Sequence, residues 1–446
     1  MVGNAPAGIR GRLAAIVGEE NVTADPASLA SCFREPVEPT GLTAVRPAAA
    51  AEVQRIVEHC FASAVPIFTT YDACFPPEVA SRQGVLLDFR RMDRIERIDS
   101  KNLCAHVQRG VTFEQLEEAL RPEGLTALVP AAARTRSVVC HAVARGMNLT
   151  AAKYPEVQVS NMQVVLQDGR IHLTGTHAIS EEMADWKEDG GPNLSKWYLG
   201  ADDIFGIVVR GSIWIYPRFE GRFWDAFGFR DLEQALGLLR ELPRLEITAE
   251  CLVVNPAALA GRLEAPQQDV PPWTLVVGIE AFKELADYQR RKAREAVETR
   301  GGSALGEELQ GRIAAAMQRP WYLEHESCTS YYTLFSRIPE LESILTARAQ
   351  RGKVPLESVG KTFVAHGLGR AVCCRYDFPP SAVDGSLVEE MEIELASAGA
   401  FFDRPQGRLA EHVYGMIPAY LSHIKRIKTM MDERRIFNPG RPVKEV

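Results

Sequence analysis

The stretch from Ser137 to Pro217 constrains this chain most. Val159 to Leu166 and Ile171 to Thr174 are strand-like runs around Asp168-Gly169. That dipeptide supplies positive φ for a type I′ turn, so the spacing predicts a β-hairpin. Before the hairpin come Ser137-Val138-Val139-Cys140-His141-Ala142-Val143-Ala144-Arg145-Gly146 and Tyr154-Pro155. After it come Asp202-Asp203-Ile204-Phe205-Gly206-Ile207-Val208 and Ile213-Trp214-Ile215-Tyr216-Pro217, which read as strand.

At 446 residues the chain has room for two or three domains, each with its own core. A net charge of −7 with no basic run argues against nucleic acid or an anionic membrane surface as partner. No apolar stretch reaches the roughly 18 residues of a membrane span. Met1 to Arg12 contains Gly3, Pro6 and Gly8 and no apolar core, so it does not read as a targeting signal. The nine cysteines are scattered without a Cys-x-x-Cys pair, as expected of a cytoplasmic protein. Cys373-Cys374 reads as core strand.

In order and spacing, the pieces between Ser137 and Pro217 resemble the FAD-binding domain of the vanillyl-alcohol oxidase and p-cresol methylhydroxylase (PCMH-type) family, nearest its 4-cresol and eugenol oxidising branch. The resemblance implies an α+β, two-lobed fold. Its parts would be a helical lead-in over 1–40, a FAD-binding domain over 41–218, an α+β cap over 219–415, and a C-terminal helix over 416–446 that returns to the first domain.

Periodicity fills in the elements. Val53, Ile56, Val57, Cys60 and Phe61 share one face of a helix. Val65 to Phe68 reads as a strand, and Thr112 with Gln115 marks a capped helix start before Phe113, Leu116 and Leu120. In the cap, Phe223–Phe227 and Trp273–Gly278 read as strands, and Asp231 caps a helix. A charged helix follows from Phe282 to Thr299, residues 300–360 read as irregular, and Lys361 to Tyr376 reads as one strand carrying His366. Ile424, Ile427 and Met431 mark the last helix.

The resemblance assigns cofactor contacts to Thr69, Thr70, Tyr71, Cys140, His141, Gly146 and Tyr154, and to Gly206, Ile207 and Val208, whose backbone would run under the adenine. The family's glycine-rich loop lets backbone N–H groups approach a diphosphate. Here Thr69-Thr70-Tyr71-Asp72-Ala73-Cys74-Phe75-Pro76-Pro77-Glu78 contains no glycine, and its two prolines have no N–H to donate. Ala131 follows Val129-Pro130 where the family carries a carboxylate for proton transfer. Cys140-His141 replaces a glycine and an asparagine, and Asp202-Asp203 stands where small or polar residues and often a glycine are expected. Arg404 is kept at the family's phenolate clamp, but its tyrosine neighbour is replaced by Asp403.

Two readings follow. One is a FAD-dependent oxidoreductase with a modified diphosphate site, transferring hydride from a small aromatic or hydroxylated substrate to flavin, with Arg404, Tyr331 and His366 as catalytic candidates. The other is a flavin-free homologue: a partner subunit in a flavoprotein complex, or a non-redox enzyme using the old pocket. A homodimer or a complex with a catalytic paralogue is the expected assembly, and no metal is expected.

Overall fold

The computed structural model describes residues 8–33, 36–69, 75, 77–129, 135–144, 159–185, 192–263, 266, 269–318, 327–380, 383 and 385–443. Two sheets build the first half. The smaller pairs Leu42–Val45, Gly84–Leu87 and Ile67–Phe68 in parallel, with Val22–Thr23 antiparallel at one edge. The helix Ala50–Ser63 covers it with Val53, Ile56, Val57 and Cys60, all fully buried, as their spacing requires.

The larger sheet is centred on one long strand, Ile207–Pro217, flanked by Cys104–Gln108 and by Val159–Val165. Helix Phe113–Leu120 packs against this sheet, and its start carries the full Thr112–Gln115 capping box. The hairpin forms, but its turn differs from expectation. Only Gly169 takes positive φ (80°), and its N–H donates to the Leu166 carbonyl. That is a type I turn closed by a left-handed glycine, which accommodates one residue more than a type I′ loop.

The cap is one seven-stranded antiparallel sheet with helices on both faces. Lys361–Tyr376 is two strands, not one: Gly360–His366 and Ala371–Asp377 pair through a turn in which Gly367, Leu368 and Gly369 all have positive φ. Residues 300–360, expected to be irregular, contain helices Glu307–Ala316 and Ile338–Arg351 and strand Cys328–Thr333. Leu341, Leu345 and Ala349 fall one helical turn apart and are fully buried, a period hidden among polar residues.

The chain end joins the first sheet. The Ile67 N–H donates to the Ile436 carbonyl at 2.6 Å, and the Asn438 N–H donates to the Ile67 carbonyl at 2.8 Å. Helix Pro418–Met431 leads into this segment. Its buried Lys428 donates to the carbonyls of Ile204 and Phe437 and to Asp432. Among the described residues, no helix is long and apolar enough to cross a membrane.

Candidate functional site

Three segments converge where the diphosphate was expected: the start of the loop after Ile67–Phe68, the short helix Val138–Val143, and the approach to the long strand. An ion pair stands at their meeting point. Arg109 leaves strand Cys104–Gln108 and places Nη2 at 2.5 Å from Asp203 Oδ2 and Nη1 at 3.0 Å from Oδ1. The Thr69 hydroxyl donates to Oδ2 at 2.6 Å, and the Val208 N–H donates to Oδ1 at 3.3 Å. Arg109 Nη1 also donates to the Val208 carbonyl at 2.7 Å, and the guanidinium lies 4.3 Å over the Phe89 ring. Both partners are buried, Arg109 to 2% and Asp203 to 5% exposure, as a compensated pair must be.

The chain end locks the corner. Asn438 accepts from the Thr69 N–H at 2.8 Å and donates through Nδ2 to the Thr69 hydroxyl and the Asp202 carbonyl. Ser137 Oγ donates to the Arg109 carbonyl and accepts from the Cys140 N–H. The space left among Thr69, Arg109, Cys140, Val143, Ala144, Asp202 and Asp203 is about 10 Å³, enough for one water.

These residues do not fit a tightly held dinucleotide. A phosphate about 4 Å from the Asp203 carboxylate would cost up to about 4 kcal/mol at an effective dielectric near 20. The Val208 N–H and carbonyl, on the segment expected to serve the adenine, are already engaged by the pair. Gly206 has φ 151°, and a Cβ there would lie 2.8 Å from Val164 Cγ1, so the glycine answers to strand packing. Ile207 and Val208 are fully buried in the same sheet. His141 packs its ring on Phe113, 5.5 Å between centroids, and does not line the corner. Thr70, Tyr71, Gly146 and Tyr154 lie outside the described residues.

A cavity of about 400 Å³ opens beside this corner, at the seam between the first domain, the cap and the C-terminal helix. Trp197, Phe205, Tyr414 and Tyr420 give it aromatic wall. Four cations, Arg82, Lys196, Arg404 and Arg441, line it with four carboxylates, Glu78, Asp202, Asp403 and Glu411. Arg404 sits 3.5 Å from Asp403, and Arg441 sits 3.4 Å from Asp202. Burial pushes the Asp202 carboxyl up, partly opposed by Arg441 and reinforced by Asp203.

Of the catalytic candidates, only Arg404 lines this cavity. Tyr331 faces the cap core instead: it is fully buried, stacked on Tyr376, with the two hydroxyls 3.2 Å apart. Strand alternation turns Tyr332 to the opposite face, where its ring meets His366 edge-on at 5.2 Å. His366 ends its strand and does not line the seam cavity. Arg109, the centre of the corner, was not singled out from sequence; its partner Asp203 lies far along the chain, and only folding brings the two together.

A further polar group, Cys104, His106 and Asp185, has donor atoms close enough to hold a metal. Arg97 donates to Asp185 at 2.6 Å and lies 3.0 Å from His106 Nε2, and Arg210 Nη2 lies 3.4 Å from Nδ1. Two guanidiniums leave a cation no favourable place, so this cluster is a structural ion network.

Residues 42–175 match the FAD binding domain family. The chain is 26% identical over 249 residues to the 4-cresol dehydrogenase [hydroxylating] flavoprotein subunit of Pseudomonas putida, covering 51% of this chain and 47% of that protein. It is 24% identical over 204 residues to the D-lactate dehydrogenase of Archaeoglobus fulgidus, covering 45% and 44%. The chain thus spans about half the length of these relatives. The structure of p-cresol methylhydroxylase with substrate bound superposes with a TM-score of 0.81 at 18% identity, over 97% of this chain and 96% of that one. Residues 42–175 thus resemble a FAD binding domain, and the chain shares the two-lobed fold of p-cresol methylhydroxylase almost from end to end.

Proposed function

We propose that this protein is a FAD-dependent oxidoreductase that holds its flavin loosely and takes a small aromatic or hydroxylated substrate into the seam cavity. The matched FAD binding domain and the names of the relatives, a cresol and a lactate dehydrogenase, support the reaction class. The observation that carries the substrate reading is the cavity: aromatic walls with paired cations and carboxylates, at the junction of cap and first domain. Tyr414 and Tyr420 offer ring faces to a planar substrate, while Arg404 and Arg441 orient a hydroxyl or carboxylate within reach of Asp202.

Loose binding follows from the corner. Losing two or three charge-assisted hydrogen bonds at roughly 1.5–3 kcal/mol each removes about 3–9 kcal/mol, or about 10²- to 10⁶-fold in affinity. Purified protein should therefore be pale, should take up added FAD reversibly, and should bleach that flavin anaerobically with a 4-alkylphenol or a 2-hydroxy acid. Protein that neither carries nor takes up FAD sinks this reading. It leaves the flavin-free homologue, which the saturated Arg109–Asp203 pair favours. Light scattering tests the homodimer or paralogue complex expected from sequence.

A further inference from the structure

We infer that the Arg109–Asp203 pair performs the structural task that a bound dinucleotide performs in a tight flavoprotein of this fold: it is the internal tie of the corner, so the protein is completely folded without cofactor. The pair sits where five stretches of chain meet, and it adds a charged tie to the hydrogen bonds that Asn438 makes to Thr69 and Asp202. Thr69 brings the loop after the parallel sheet, Arg109 the exit of strand Cys104–Gln108, Ser137 the start of the short helix, Val208 the long strand, and Asn438 the chain end. Each reaches the pair directly or through one side chain.

Stoichiometry supports the substitution. The carboxylate of Asp203 accepts four hydrogen bonds, two from Arg109 and one each from Thr69 and Val208, which fills its usual acceptor positions. One cation and one anion close the corner at zero net charge, whereas a diphosphate there would need several donors that this chain spends on its own carboxylate. Arg109 and Asp203 also depend on each other. Either alone would be a buried uncompensated charge, so each needs the other.

In a protein that needs its cofactor for cohesion, ligand binding raises the melting temperature by linkage and the apo form is loose. Here the apo form is the complete fold and flavin is an exchangeable ligand, as the loose-binding reading above requires. The two statements fail differently: absence of FAD uptake ends the loose-binding reading and leaves the tie intact.

The test is a double-mutant cycle on flavin-free full-length protein, read by calorimetry and near-UV circular dichroism. Apo wild type should melt cooperatively and show fixed aromatic signals. Arg109→Met or Asp203→Leu alone should lower the transition of the first domain by roughly 6–20 °C. The double variant should recover at least half of that loss, because a matched apolar pair leaves no stranded charge. Asp203→Asn, which keeps the shape, should show a smaller fall and serves if the other single variants do not fold. The inference is overturned by single variants that melt like wild type, by additive effects in the double variant, or by an apo wild type that becomes cooperative only when FAD is added.

Discussion

Replacing Lys428 with methionine should loosen the attachment of the chain end to the first sheet without disturbing the cap. Lys428 is 1% exposed; its ammonium donates to the Ile204 carbonyl at 3.0 Å, the Phe437 carbonyl at 2.6 Å and Asp432 at 2.6 Å. Burial lowers its affinity for a proton, and Asp432 opposes that. Asp432, fully buried, also accepts from the N–H groups of Ile436 and Phe437. Methionine keeps the bulk but strands the Asp432 carboxylate on two amides and leaves two carbonyls without their donor. Breaking one side of a buried pair costs about 3–5 kcal/mol, which becomes roughly 10²- to 10⁴-fold faster amide exchange if local opening is the route. Hydrogen–deuterium exchange read by mass spectrometry should show this in peptides covering residues 64–69 and 434–440, while cap peptides such as 273–281 stay at the wild-type rate. Lys428→Met/Asp432→Leu should recover part of the loss. Wild-type exchange at both first-domain segments in Lys428→Met would refute the clamp.

Three further outcomes follow from other parts of the structure. Gly110→Ala should cost at least 1–3 kcal/mol, because its Cβ would meet the Phe89 and Met92 carbonyls at 2.2 and 2.8 Å, and urea unfolding should show it. Asp88 is buried, which alone would raise its pKa, but hydrogen bonds from the Arg90 side chain and amide, the Arg90 charge and Arg46 together lower it. Its contribution is therefore complete above about pH 4 and is lost as pH falls through the lowered value. The stability gap between wild type and Asp88→Asn should be flat near neutrality and close in acid. Arg404→Gln should weaken binding of an anionic or phenolic ligand in the seam cavity, whereas Tyr331→Phe should leave binding unchanged and cost about 0.5–1.5 kcal/mol of stability; calorimetric titration and melting curves separate the two.

What could be read from the sequence was what short-range chemistry fixes. Thr112 with Gln115, the buried face of Ala50–Ser63 and the hairpin around Gly169 each declare themselves within a dozen residues. The hairpin's turn type did not, since Asp168 can serve either turn and strand twist decides between them. Helix Ile338–Arg351 was hidden because its buried positions alternate with Glu and Arg, diluting the apolar period. Tyr331 was misplaced for a simpler reason: two adjacent tyrosines on a strand must face opposite ways, and only the sheet's neighbours say which faces the core. The corner lay beyond local reasoning altogether, because Thr69, Arg109, Asp203 and Asn438 are spread across nearly the whole chain and become one network only after folding.

Asp202 shows why that network bears on function as well as stability. It sits in left-handed backbone, φ 53°, with its carbonyl held by Asn438 and its carboxylate turned toward Arg441. It borders both the small space beside the ion pair and the seam cavity. A change at Asn438 or Asp203 therefore moves a carboxylate that lines the cavity, and a ligand drawing on Arg441 alters the charge beside the pair. Stability and ligand affinity should consequently be non-additive between Asp203 and Arg441 substitutions, although no direct hydrogen bond joins those two side chains among the described contacts. Additivity within experimental error would mean that corner and cavity, though adjacent, act independently.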